Sequence, residues 1–233
     1  MYKKLLTCLL ALSLVLSFAA CGQPANIRGE VTPNSTTEAT TEATTEATTE
    51  PAVTEPQFSI GSATGNTYKN TFIGIQCTLD SNWVFKTDEE MKAVNESVVG
   101  VIGEQYEAAL ANATVVQDMM ATHANQMDTV NVVLEKLGAA YLLITEEQYL
   151  NLSKESTVNA LTAMGMTIAS AEISTVKLAG QDHACLTIVG SYSDIPLYEK
   201  LVVIKCGGYI ACITTCTWLE DTCQSILDQF QPC

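Results

Sequence analysis

Apolar and polar positions divide the chain into three stretches with different periodicities. Residues 5–18 form a short apolar block broken only by Thr7, Cys8, Ser13 and Ser17. Residues 22–56 contain almost no large apolar side chain. From residue 57 onward, apolar positions recur with period two or at helical spacing, which predicts strands interspersed with helices. Residues 71–79 alternate, with Ile73, Ile75, Cys77 and Leu79 on one face, and read as a strand continued after a turn by Trp83, Val84 and Phe85. Thr87 and Glu90 have the spacing of a capping box. The helix they open aligns Met91, Val94, Val98, Ile102, Tyr106, Ala109 and Ala113 on one stripe.

Residues 115–122 and 129–137 read as two more strands. Thr145 with Gln148 opens a second helix, which Gly165 ends. Residues 168–178 and 183–192 read as strands joined near Gly180. Two β-rich runs within 197–217 flank Gly207-Gly208, a dipeptide suited to a two-residue hairpin turn. A last helix is expected to place Leu219, Cys223, Ile226, Leu227 and Phe230 on its apolar face. Antiparallel neighbours with few helices predict an α+β fold, a mostly antiparallel β-sheet covered by helices. Residues 57–233 are long enough for one such domain.

The apolar block at the start has the three parts of a cleaved export signal. Lys3 and Lys4 supply positive charge, residues 5–18 the apolar region, and Ala19 and Ala20 the small residues before a cut. The block is shorter than the ~20 residues a spanning helix needs. The run Leu16-Ser17-Phe18-Ala19-Ala20-Cys21-Gly22 reads as a bacterial lipoprotein leader over residues 1–20, with Cys21 as the lipidated first mature residue. An ordinary signal peptide and an uncleaved anchor are the alternatives. Two acyl chains on one cysteine hold a protein stably where one holds marginally, since each buried methylene contributes ~0.8 kcal/mol. The expected location is the extracytoplasmic face of the cell membrane.

Residues 21–56 read as a tether. Four of the six prolines fall there, and the unit Thr-Thr-Glu-Ala repeats between Thr36 and Glu50. Threonine is a poor helix former, and Glu38, Glu42, Glu46 and Glu50 would repel along a helix face. The composition predicts a disordered spacer with a root-mean-square reach of roughly 35 Å.

Charge removes some function classes. The chain carries 26 acidic and 11 basic residues, a net charge of −15. Residues 57–233 alone hold 20 acids and 8 bases, net −12, the opposite of what a nucleic-acid binder needs.

Nine cysteines are the unusual feature of the composition. Cys8 leaves with the leader and Cys21 takes the lipid. The remaining seven are Cys77, Cys185, Cys206, Cys212, Cys216, Cys223 and Cys233, with no Cys-x-x-Cys among them. Cys77 and Cys223 fall on apolar faces and read as core. Cys206, at the hairpin tip, and Cys233 are expected to be the exposed thiols. Mainly free thiols are expected; Cys216 with Cys223 is the candidate disulfide, and a metal or redox role is the remaining alternative. His123 and His183 belong to no catalytic motif and read as polar loop residues. Asp88-Glu89-Glu90 and Glu146-Glu147 open helices, where the macrodipole favours them. No catalytic, cofactor-binding or metal-ligating set is assigned.

The run Tyr68-Lys69-Asn70-Thr71-Phe72-Ile73-Gly74-Ile75, followed by Trp83 and Phe85, resembles the opening of the PsbP-like domains found in lipoproteins of anaerobic Gram-positive bacteria. The resemblance extends to Asp118-Met119-Met120-Ala121, to Asn131-Val132-Val133 and to the close at Phe230. It implies the fold shared with PsbP and DcrB, and a group of binding or assembly proteins without common catalytic residues. The function expected is a lipid-anchored, non-catalytic binding domain of unknown ligand. An envelope assembly or chaperone-like factor and a redox or metal protein are the alternatives. The one partner assigned is the membrane, through the lipid on Cys21; no nucleic acid and no cofactor are expected.

Overall fold

The computed structural model describes residues 57–99 and 113–233. The expectations for the leader, Cys21, the tether and the stripe positions Ile102, Tyr106 and Ala109 lie outside the described residues. The fold class is α+β and mostly antiparallel, built on two sheets.

The smaller sheet orders its strands β1-β2-β3-β11, with β1 Ser62–Thr64, β2 Thr67–Asn70, β3 Ile75–Thr78 and β11 Phe230–Pro232. The larger orders them β4-β5-β6-β10-β9-β8-β7. Its strands are β4 Trp83–Phe85, β5 Val115–His123, β6 Thr129–Lys136, β7 Thr167–Leu178, β8 Gln181–Tyr192, β9 Ile195–Cys206 and β10 Tyr209–Trp218. Among the described residues three α-helices join them: α1 Asp88–Val99, α2 Glu146–Ala163 and α3 Cys223–Leu227. A 3₁₀ turn, Ala139–Tyr141, precedes α2.

Strand alternation sorts the large sheet into two faces. On β10, Ala211 and Ile213 pack with Tyr68, Ile75 and Cys77 of the small sheet. Their neighbours Ile210, Cys212, Cys216 and Trp218 pack with Tyr149, Leu150 and Leu161 of α2. The large sheet is thus a middle layer with the small sheet on one side and α2 on the other.

The turns follow from backbone chemistry. Ala179-Gly180 and Ser193-Asp194 both have positive φ, at 48° and 81°, and at 49° and 67°. This is the pairing that a type I′ hairpin turn demands. They close β7–β8 and β8–β9, while Gly207 (φ 53°) closes β9–β10 between the paired Cys206 and Tyr209. Both capping boxes form: Glu90 N donates to Thr87 Oγ1 and Gln148 N donates to Thr145 Oγ1.

Two elements differ from the sequence expectation. Residues 71–79 are not one strand, because the Asn70 carboxamide oxygen accepts from Phe72 N (2.8 Å) and Ile73 N (3.3 Å). That turn, closed by Gly74 at φ 72°, folds the chain back so that β2 pairs with β3. Ile75, Cys77 and Leu79 still point inward. The last helix ends early, at Leu227. Phe230 is buried in strand β11 opposite Cys77, and Leu219 is exposed in a left-handed turn (φ 71°) instead of lying on a helix face.

Candidate functional site

Much of the polar chemistry of the domain gathers at four buried or half-buried carboxylates. The first is Glu146, the opening residue of α2. Strands β8 and β9 are paired from Tyr192↔Ile195 as far as Cys185↔Val202 and then separate. Glu146 spans the split: one oxygen accepts from Ala184 N on β8 (3.2 Å), the other from Lys205 N on β9 (3.0 Å). His183 Nδ1 lies 3.0 and 3.2 Å from the same two oxygens. Burial alone would raise this carboxyl, but His183 and the two amides outweigh it and hold it below the ordinary glutamate range. Lys205 then uses its Nζ to donate to Leu142 O at 2.7 Å, which fixes the segment ahead of α2.

The second carboxylate is Asp118, placed by the bulge between Gln117 and Met119 of β5. It accepts from Tyr68 Oη, from Asn70 Nδ2 (2.7 Å) and from Gly61 N (2.7 Å), binding the small sheet to the large one. Burial raises its pKa against the pull of those three donors. Gly61 has no room for a side chain here, since a Cβ would lie 2.5 Å from the Tyr68 ring and 2.8 Å from Lys69 O. On the other edge of the bulge, Asn95 of α1 accepts from Gln117 N (2.8 Å) and donates to Gln117 O (2.7 Å). The side chain thereby substitutes for a neighbouring strand.

The third is Glu199 on β9, which is fully buried on the α2 side between Leu197 and Leu201. Cys216 stands opposite it on β10 and Ile188 on β8. Neither carboxyl oxygen has a hydrogen-bond partner, and desolvation pushes the pKa up to about 8. Further along the same face, Tyr149 Oη donates to Glu135 Oε2 at 2.6 Å and lies 3.7 Å from Cys212 Sγ. Burial raises Glu135 as well.

The seven cysteines among the described residues are free thiols, and the candidate Cys216–Cys223 bridge is not formed. Cys216 points to the α2 face with Cys212 and Trp218. Cys223 lies across the sheet, 3.4 Å from Thr217 Oγ1, donating to Tyr198 O (3.3 Å). Strand alternation puts 216 and 217 on opposite faces, so the two sulfurs are separated by the sheet itself. Burial pushes Cys77 and Cys212 up to about 12 and Cys223 to about 11. A thiol so raised is a poor nucleophile and a poor metal ligand. Cys206 is half-buried, not at an open tip, and donates to Phe72 O at 3.0 Å; Cys233 is exposed. Both histidines sit on strands rather than in loops. His123 ends β5 and meets Trp83 edge-on at 5.2 Å.

One surface feature remains. Tyr141 and Leu143, with Leu152 of α2, are exposed apolar side chains around an open groove of about 520 Å³, and Leu142 is exposed beside them. Its floor includes Ile144, Gln148 and Asn151. Among the described residues no helix is long and apolar enough to cross a membrane.

Asp118 and Asn70 belong to the runs that carried the family resemblance, and the fold brings them together with Tyr68. Glu146 was visible only as a helix-opening acid. Glu199 went unnoticed, although its signal is in the sequence: a carboxylate at the inward parity of Leu197, Leu201 and Val203. No protein-family model matches the chain, and no curated protein matches it. Among solved structures it is similar to LpqN, described as involved in cell envelope biogenesis of Mycobacterium tuberculosis, at 15% identity. The match covers 67% of this chain and 82% of that one, with a TM-score of 0.37. A likeness of that degree assigns neither a family nor a function.

Proposed function

We propose that the chain is a lipid-anchored extracytoplasmic protein whose domain, PsbP-like in fold, binds a partner and performs no catalysis. The observation that carries the binding reading is how the reactive groups are used. Asp118 and Glu146 each meet three donors that join strands, His183 is engaged by Glu146, and the buried thiols are held protonated. Groups saturated by structural partners are not poised to act on a substrate, whereas the groove beside Tyr141 and Leu143 is open. What supports the PsbP-like reading is that two of the runs carrying the resemblance meet, through Tyr68, Asn70 and Asp118, in one network.

Two measurements test this proposal. Detergent-phase partitioning and intact mass of the mature chain are expected to show a diacylglyceryl group on Cys21. Cys21→Ser should move the protein to the aqueous phase, and an unchanged distribution would defeat the anchor reading. The purified chain is expected to give no turnover on ester, amide, phosphoester, glycoside and disulfide substrates. Turnover abolished by substituting Asp118, Glu146 or His183 would defeat the binding reading.

A further inference from the structure

The exposed apolar side chains beside the groove are held in place by a defined structure. Tyr141 N donates to Gly138 O (2.8 Å) and Ile144 N to Tyr141 O (3.1 Å), so residues 138–144 form a turn with its own hydrogen bonds. Lys205 clamps the Leu142 carbonyl, and Leu142 lies over the β9–β10 turn near Gly208. The effect is to hold Leu143, at 93% exposure, outward from a fixed support, with Tyr141 and Leu142 half-exposed beside it.

The position of this turn says what it meets. Leu137 N donates to Gly208 O, so the segment springs from the end of the large sheet that carries the β9–β10 turn. Tyr209, the next residue, stacks on Phe58 at 4.7 Å. The described domain starts at Gln57, so the preceding chain joins the domain at this same end. Under the anchor proposal, that preceding chain leads to Cys21 and the bilayer. The apolar turn therefore stands at the end of the domain through which it is tied to the membrane.

We propose that Tyr141, Leu142 and Leu143 insert into the headgroup–acyl boundary of the phospholipid bilayer and dock the domain on the membrane. The inference rests on the anchor reading and extends it. Leucine buries apolar area below the headgroups, and tyrosine suits the interface because its ring is apolar and its hydroxyl polar. Lys136, opposite Tyr209, and Lys205 lie on one side of the turn and Glu146 and Glu147 on the other, so apolar burial and not charge is what the turn offers a bilayer. Three side chains form a weak site for a free protein. If residues 22–56 are the spacer their composition predicts, its reach of roughly 35 Å would make the second contact intramolecular. The bilayer is favoured over a second copy because the chain entering the domain beside Phe58 and Tyr209 leads, under the anchor proposal, to the lipid on Cys21.

The test reads insertion separately from native lipidation. The mature chain, residues 21–233, is held on zwitterionic phosphatidylcholine vesicles by an N-terminal hexahistidine tag and a nickel-chelating lipid. Leu143→Trp reports on the turn. Leu219→Trp reports on the opposite end, since β10 runs between them for ten residues, about 30 Å of extended strand. Both sites are exposed, and Leu152→Trp is a second reporter beside the groove. Brominated phosphatidylcholine is expected to quench the added Leu143→Trp emission severalfold more than that of Leu219→Trp, after subtraction of the Trp83 and Trp218 background. Equal quenching at the two ends, or none above the unsubstituted chain at either Leu143→Trp or Leu152→Trp, would overturn the proposal. So would concentration-dependent self-association in the absence of vesicles that Leu143→Glu abolishes, since that assigns the turn to a second copy. Failure of the Cys21 measurements would leave this readout standing, because the tag replaces the lipid.

Discussion

Substituting Glu199 by glutamine should stabilise the protein at neutral pH and remove much of the pH dependence of its stability. In the folded chain this carboxyl has no donor and no water-exposed atom, and its pKa is about 8 against an ordinary value of 4.5. The sign follows from linkage. Below about pH 4.5 the acid is neutral in both states, and burial carries no ionisation penalty. Between pH 4.5 and 8 the unfolded chain ionises while the folded chain does not, so stability falls by about 1.4 kcal/mol per pH unit. Above pH 8 the penalty stays constant. At pH 7 the interval is about 2.5 units, which gives about 3 kcal/mol, a large fraction of the 5–15 kcal/mol typical of a domain. Glutamine is as polar as the neutral acid and of similar size, so the two chains should nearly coincide at pH 5 and diverge as pH rises. Urea unfolding followed by far-ultraviolet circular dichroism at pH 5, 6, 7 and 8 measures the divergence. Asp118 and Glu135, also raised, leave a residual slope in both chains. An E199Q slope equal to that of the unsubstituted chain would refute the reasoning.

Three other outcomes follow from the same contacts. Asp118→Asn sets its amide nitrogen against either Asn70 Nδ2 or Gly61 N and should destabilise by about 1–3 kcal/mol in urea, with no change in secondary structure of the folded state. Glu146→Ala leaves Ala184 N and Lys205 N without acceptors, and their hydrogen-exchange protection should fall together. Because the Glu146 pKa is lowered, its stabilisation is full above the unfolded glutamate pKa and is lost as pH falls through the folded value, opposite in sign to Glu199. A chromogenic disulfide should react promptly with Cys233 in the native domain and reach Cys77, Cys212, Cys216 and Cys223 only on unfolding; prompt reaction of any of these four would contradict their burial.

Local signals located the elements wherever the information was local. Thr145 with Gln148, Thr87 with Glu90, and Gly207-Gly208 each specify their own structure within a few residues, and each does what its spacing predicts. The Asn70–Gly74 turn was hidden because Ile73 continues the apolar alternation, while the decisive contacts are Asn70 Oδ1 to two amides. The end of α3 was hidden for a different reason. Phe230 has helical spacing from Ile226 and Leu227, but its pairing with Cys77 is an interaction across the whole domain. The carboxylates divide in the same way. Asp118 stood in a recognisable run, whereas the partners of Glu146 come from strands about 40 and 60 residues away. The free thiols match the main expectation for the cysteines, and the candidate pair Cys216 and Cys223 stays apart because Cys223 lies against Thr217, the β10 neighbour of opposite parity.

Strand β11 makes the small sheet a late event in the life of the molecule. Its outer ladder joins Phe230 to Cys77 and Pro232 to Ile75, so β3 has an empty edge until residues 230–232 are present. A chain synthesised amino-end first presents β1, β2 and β3 long before it presents their last partner. Throughout that interval Tyr68, Ile75 and Cys77 lack the cover that Phe230 and α3 supply. The topology thus makes closure of the small sheet wait for residues 230–232, which act as a bolt on strands that were in place well before them.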